Sequence, residues 1–199
     1  MIDERFVIFG ALLNLIGSST YAYATLRGHT KPNRVTWFLW ALAPLIAFSA
    51  SIKDGVGLPS LMTFMVGFGP LLIFLSSFVN RKAFWQISKL DIACGTISVL
   101  ALLLWLITGS GFIAILFSII ADLVAGIPTL IKGYKAPETE NYSVFLFGAI
   151  SAAITLLAID KWEFSYYAFP VYILAICLTL FILIRFPNFR HARSSIKAP

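Results

Sequence analysis

Three side chains inside long apolar stretches of this chain carry the chemistry worth weighing: Asp122, Asn14 and Trp40. Asp122 lies 11 residues after Gly111 and 10 before Lys132. At a helical rise of about 1.5 Å per residue it stands roughly 16 Å from either end of its stretch, close to the middle of a bilayer-wide segment. An ionised carboxylate at that depth costs about 2.5 to 3.5 kcal/mol on insertion scales. It is expected to face a protein interior, where it could couple a proton or meet a cationic or hydroxyl-rich solute. The plainer alternative is a hydrogen bond to Ser, Thr or Asn on another helix. Asn14, about eight residues into the first apolar stretch, offers both a donor and an acceptor. Trp40 could wall a pocket by stacking on a ring, or simply pack in a core or against lipid.

Spacing groups these residues with others. Asn14, Ser18, Tyr21 and Thr25 follow one another at i, i+4, i+7, i+11, and so do Ser118, Asp122, Ala125 and Thr129. Each set makes one semi-polar stripe along a helix. Trp37, Trp40 and Pro44 fall at i, i+3, i+7. Trp37, at the start of its stretch, is expected in an interfacial aromatic belt, as are Trp85 and Trp162. Thr63 and Ser151 add pocket polarity. The expected solute-binding set is therefore Asn14, Ser18, Trp40, Thr63, Ser118, Asp122 and Ser151, with Asp122 as the proton-coupling group. Pro44, Pro70 and Pro128 interrupt three different stretches and could serve as hinges or as static bends. Ser19 and Thr20 are expected to bond back to their own helix. His29 and His191 sit in basic segments with no Cys/His cluster, so no metal site and no cofactor are expected. No zincin, nucleophile-elbow or phosphate-loop motif is present, and one midplane carboxylate without a partner acid, base or nucleophile argues against an enzyme.

The elements that must hold these residues follow from composition. The chain has 199 residues, 59% of them apolar and 12% charged, where a soluble domain carries about 25% charged residues. Mean hydropathy is +0.89. A soluble enzyme, a disordered chain and a nucleic-acid-binding domain are excluded. A polytopic all-α membrane protein is left. Seven apolar stretches are expected as helices: Phe6 to Leu26, Val35 to Ile52, Pro59 to Val79, Leu90 to Thr108, Phe112 to Ile131, Tyr142 to Ile159 and Ser165 to Ile184. The first should be a retained helix rather than a cleaved signal. Cys94 and Cys177 should be free, buried thiols.

With this layout Arg27, Lys31, Arg34, Arg81, Lys82, Lys89, Lys132, Lys135, Arg185, Arg190, Arg193 and Lys197 fall on one side, and only Arg5, Lys53 and Lys161 on the other. Positive residues mark the cytoplasm. The N-terminus is then outside and the C-terminus inside, in the cytoplasmic (inner) membrane if the source is a bacterium. The basic tail should lie on anionic lipid headgroups.

Two segments repeat. Ala24-Thr25-Leu26, Lys31-Pro32 and Thr36-Trp37-Phe38-Leu39-Trp40 match Pro128-Thr129-Leu130, Ala136-Pro137 and Ser143-Val144-Phe145-Leu146-Phe147 in order and type. Helices one and five run the same way, so the repeats are parallel and the fourth helix inverts between them. This layout resembles the PQ-loop and SWEET-like membrane proteins. The likeness covers about the whole chain in layout and the two quoted segments in motif. The family's Pro-Gln pair stands here as Ala24-Thr25 and Pro128-Thr129, so neither copy keeps the Gln. The resemblance implies two parallel three-helix bundles joined by a linker helix: residues 1–85, a linker at 86–110, a second bundle at 111–186, and a tail at 187–199. It implies a small polar-solute transporter working by alternating access, although the fold alone does not select the solute. The alternative is a membrane receptor or assembly factor acting through cytoplasmic loops and tail. A homo-oligomer is neither required nor excluded.

Overall fold

The computed structural model describes residues 5–53, 60–80, 83, 85–107, 111–159 and 162–187. The basic tail beyond residue 187, together with Arg81, Lys82 and Lys161, lies outside the described residues. Among the described residues there are seven α-helices and no strand. They are α1 (Phe6–Leu26), α2 (Arg34–Lys53), α3 (Ser60–Val79), α4 (Lys89–Ile107), α5 (Gly111–Lys135), α6 (Tyr142–Ala158) and α7 (Phe164–Arg185). One 3-10 turn, Pro137–Thr139, sits between α5 and α6.

The ends of the helices have local causes. Past the end of α1, Gly28 takes φ 78°, the left-handed conformation that glycine adopts without a Cβ penalty. His29 N then donates to the Ala24 carbonyl and Gly28 N to the Thr25 carbonyl, each at 2.9 Å, the paired closure expected at such an end. Asn33 starts α2: its Oδ1 accepts from Val35 N at 3.1 Å and from Thr36 N at 3.3 Å. Its Nδ2 donates to the buried Asp91 in the first turn of α4. The Asp91 carboxylate also takes Ser88 N and Ser88 Oγ, each at 2.5 Å. One side chain therefore caps α2 and ties it to the start of α4. Asn33→Ala is expected to cost about 1 to 2 kcal/mol, the range for losing a cap. It would be read as a lower midpoint of thermal unfolding in detergent, and an unchanged midpoint would show the tie to be idle.

Four stretches are long and apolar enough to cross a membrane: Phe6–Leu26, Leu61–Val79, Ile115–Lys135 and Tyr167–Arg185. Large apolar side chains are exposed on the outside, among them Phe9, Leu12, Leu75, Ile92, Leu103 and Ile182. Soluble monomers rarely expose contiguous apolar patches of more than a few hundred Å².

Inside, α3 touches both α1 and α2, and α7 touches both α5 and α6. Between these groups α1 packs on α6 and α2 packs on α5, while α4 lies against α2 and α5. The core is aromatic at its centre. Trp37 stacks near Tyr21 (4.9 Å between rings), Trp40 (5.3 Å) and Phe145 (6.1 Å). Ile73, Ala125, Ile176 and Leu180 close around them.

Two expectations need correction. Trp37 is not at an interface: it is 2% exposed and central to the core, because the chain re-enters the protein at Asn33 rather than at its surface. Helix five does not end at Ile131. It continues to Lys135, and Lys132 is buried inside the protein rather than free in a loop. A paired lysine can extend a helix into the interior, and its partner is invisible to periodicity.

Candidate functional site

Both semi-polar stripes face inward. Ser18, Tyr21 and Thr25 are buried on α1, and Ala125 and Thr129 on α5. The helix-interior prolines matter here because a proline has no N–H. Pro70 cannot donate to the Val66 carbonyl, nor Pro44 to that of Trp40, so two carbonyls lose their helical donor close to the stripes.

The stripes meet at a cavity of about 350 Å³. Asn14, Thr63, Ser118, Asp122 and Ser151 all line it, with Pro44 beside them. Val66, Ile115, Phe169 and Ile173 supply apolar wall. A smaller pocket of about 80 Å³ shares Asn14 and Asp122 with it and adds Ser18, Trp40 and Pro70. All seven sequence-expected binding residues therefore line one or other of two spaces that share Asn14 and Asp122. Pro128 does not: it lines a separate cleft with Lys31, Trp85 and Lys132.

Asp122 is held from two sides. Tyr172 Oη on α7 donates to Asp122 Oδ2 at 2.6 Å. Trp40 Nε1 on α2 donates to the Asp122 main-chain carbonyl at 3.1 Å. One turn along, Thr36 Oγ1 donates to the Ala125 carbonyl at 2.7 Å. Trp40 thus fixes the α5 backbone beside the carboxylate, and its ring packs in the core. Among the described residues the side chains of Asn14 and Thr63 make no hydrogen bond. Ser18 Oγ is buried and has no partner. Thr20 does bond back to Ile16 O at 2.8 Å.

Tyr172 was missed from the sequence. It belongs to neither stripe, and nothing in its spacing separates it from the other aromatic residues of α7.

The cavity occupies the half of the bundle where α1, α3, α5 and α7 begin. The opposite half holds a buried ion-pair network beside the cleft that Pro128 lines, a space of about 650 Å³. There Lys132 Nζ donates to Glu140 Oε1 at 2.6 Å, and both side chains are fully buried. Tyr21 Oη donates to Glu140 Oε2 at 2.5 Å. Lys132 Nζ also reaches the Lys31 and Thr139 carbonyls, and Lys31 N donates to Thr139 O at 2.9 Å. The Trp85 ring stands 5.0 Å from the Lys132 ammonium. This network joins α1, the α1–α2 link, α5 and the α5–α6 link. Sequence reading placed Lys132 in a loop and Trp85 in an interfacial belt, and gave Glu140 no role.

No family model, curated protein or solved structure matches this chain. The cavity and the buried ion-pair network therefore carry the argument about function. A water-sized share of liquid is about 30 Å³, so the cavity of about 350 Å³ lined by Asp122 has room for roughly a dozen such groups. That suits a small solute and not a peptide or a protein segment. Asn14, Thr63 and Asp122 line the cavity from three different helices.

Proposed function

We propose that this chain is a seven-span membrane carrier for a small polar solute, working by alternating access in a SWEET-like arrangement of three, one and three helices. The observation that carries the reading is a cavity with polar side chains in one half of the bundle, with the buried Lys132–Glu140–Tyr21 network in the other half. A binding space reachable from one side at a time is what alternating access requires.

The helix contacts support the arrangement. If α1, α2 and α3 correspond to α5, α6 and α7, then α3 lying on α1 and α2 has its counterpart in α7 lying on α5 and α6. The contact of α1 with α6 becomes that of α5 with α2. Matched positions also share burial: Thr25 with Thr129, and Ile73 with Leu180, are all fully buried. The apolar outer surface and the Lys/Arg distribution support insertion with the N-terminus outside and the C-terminus in the cytoplasm. Asp122 is the coupling residue of this reading, and Pro44 and Pro70, which both line the binding space, are its hinges. Pro128 would act at the end that holds the ion-pair network.

The test is solute-evoked current from proteoliposomes on a solid-supported membrane. Sugars, amino acids, polyamines and vitamin precursors would be screened at two pH values. One class should give a current that responds to pH, and Asp122→Asn should reduce it at least tenfold. Full flux with an unchanged pH response in Asp122→Asn would remove Asp122 from the mechanism. Silence across the panel, with no uptake of labelled solute either, would favour a receptor acting through its cytoplasmic surface.

A further inference from the structure

The lining of the cavity narrows the kind of solute it can take. Sixteen residues form the lining, and Asp122 is the one ionisable side chain among them. No Lys, Arg or His lines this space among the described residues. An anionic solute would meet a carboxylate and no counter-charge. The wall is otherwise mostly apolar: Met62, Val66, Ile115, Phe169 and Ile173 face the same space. A sugar would press many hydroxyls against those side chains, and each buried group left without a partner costs about 1 to 3 kcal/mol. A neutral hydrocarbon would leave the carboxylate and the Asn14 amide dry and unpaired.

The acceptors point to the remaining class. Asp122 Oδ2 takes the Tyr172 hydroxyl, and an ionised carboxylate has two oxygens with about four acceptor sites between them. Asn14 and Thr63 line the same cavity. A protonated primary amine carries three N–H donors on a single positive charge. It fits a site with one carboxylate, a few neutral acceptors and an apolar remainder.

We infer that the cavity binds a small organic cation: a protonated amine on a compact apolar body, its ammonium on the Asp122 carboxylate and its body against Val66, Ile115, Phe169 and Ile173. This rests on the cavity being the solute site of the carrier proposed above. Asn14 and Thr63 take the remaining N–H groups, so quaternary ammonium compounds bind less well than primary amines. The plain consequence is selectivity by charge at constant shape.

The test uses the full chain in lipid nanodiscs, with empty nanodiscs subtracted, and titration calorimetry. Three probes share one body and differ in charge: phenethylamine, 2-phenylethanol and phenylacetate. Benzylamine and cyclohexylamine, each beside its own alcohol and carboxylate, guard against a poor choice of body. At least one amine should bind ten times more tightly than its alcohol, and its carboxylate should not bind. Asp122→Asn keeps an acceptor for Tyr172 and should remove that preference. If this variant does not fold, Asp122→Glu keeps the charge and shifts it by one methylene. It should still reject the carboxylates while preferring a shorter amine. Equal binding of amine and alcohol, binding of a carboxylate, or no amine binding at all overturns the inference. The two readings fail separately. Transport of a sugar but no amine would overturn the solute class and leave a carrier. Amine binding without flux would keep the site and sink the carrier.

Discussion

Lys132→Ala is expected to lower the midpoint of thermal unfolding by about 6 to 20 °C. The Lys132–Glu140 pair is 2.6 Å long and fully buried on both sides. Removing the lysine leaves the Glu140 carboxylate in the interior with the Tyr21 hydroxyl as its side-chain donor. Breaking a buried pair from one side costs about 3 to 5 kcal/mol. A protein of this size loses about 2 to 4 °C for each kcal/mol. The penalty comes from the stranded charge and not from the worth of the pair itself. The triple change Lys132→Met, Glu140→Leu and Tyr21→Phe should therefore recover most of the loss, since apolar replacement of buried ion pairs is often neutral. A triple variant no better than Lys132→Ala would place the loss in packing of the lysine stem. A single variant within 2 °C of the parent would mean that the network adds nothing to stability. For a carrier, the same change should loosen the end that holds the network. A cysteine in place of Thr129, which is fully buried, should then react faster with a membrane-permeant maleimide in the Lys132→Ala background than alone.

Gly69→Ala should separate α1 from α3 and disturb the cavity. A Cβ at position 69 would run into Ser18 Oγ and stand 3.0 Å from Asn14 Oδ1. Neither neighbour sits on a long flexible chain, so relief needs movement of a helix. Overpacking of this kind costs about 1 to 3 kcal/mol. Because Asn14 lines the binding space, solute binding should fall with stability. Ser18→Gly returns room at the point of collision. The double variant should be more stable than the sum of the two single changes predicts, with a coupling of about 0.5 to 3 kcal/mol, as for side chains in direct contact. Strict additivity would show that the two helices part without strain. The close approach explains a glycine beside Pro70 in the middle of an apolar helix, a position where glycine alone is costly.

The sequence by itself determined the seven apolar helices, most of their ends to within a residue or two, and the face of α1 and α5 that turns inward. These are local properties. Apolar length sets a span, and a polar side chain every third or fourth position marks a stripe. Asn14, Ser18, Trp40, Thr63, Ser118, Asp122 and Ser151 line the two pockets, whereas Thr20, Thr96 and Thr179 stay exposed and bond back to their own helices. Tertiary structure alone decided the partners. Tyr172 meets Asp122 from 50 residues away, and Tyr21 meets Glu140 from 119 residues away. Glu140 reads as a loop acid and Lys132 as a loop base until α1 and α5 close over them. Trp37 reads as an interfacial ring until Asn33 turns α2 back into the core. A charge or an aromatic ring next to a break has no preferred side in the sequence. Its environment is set by which other helix end arrives there, and that depends on the packing of the whole bundle.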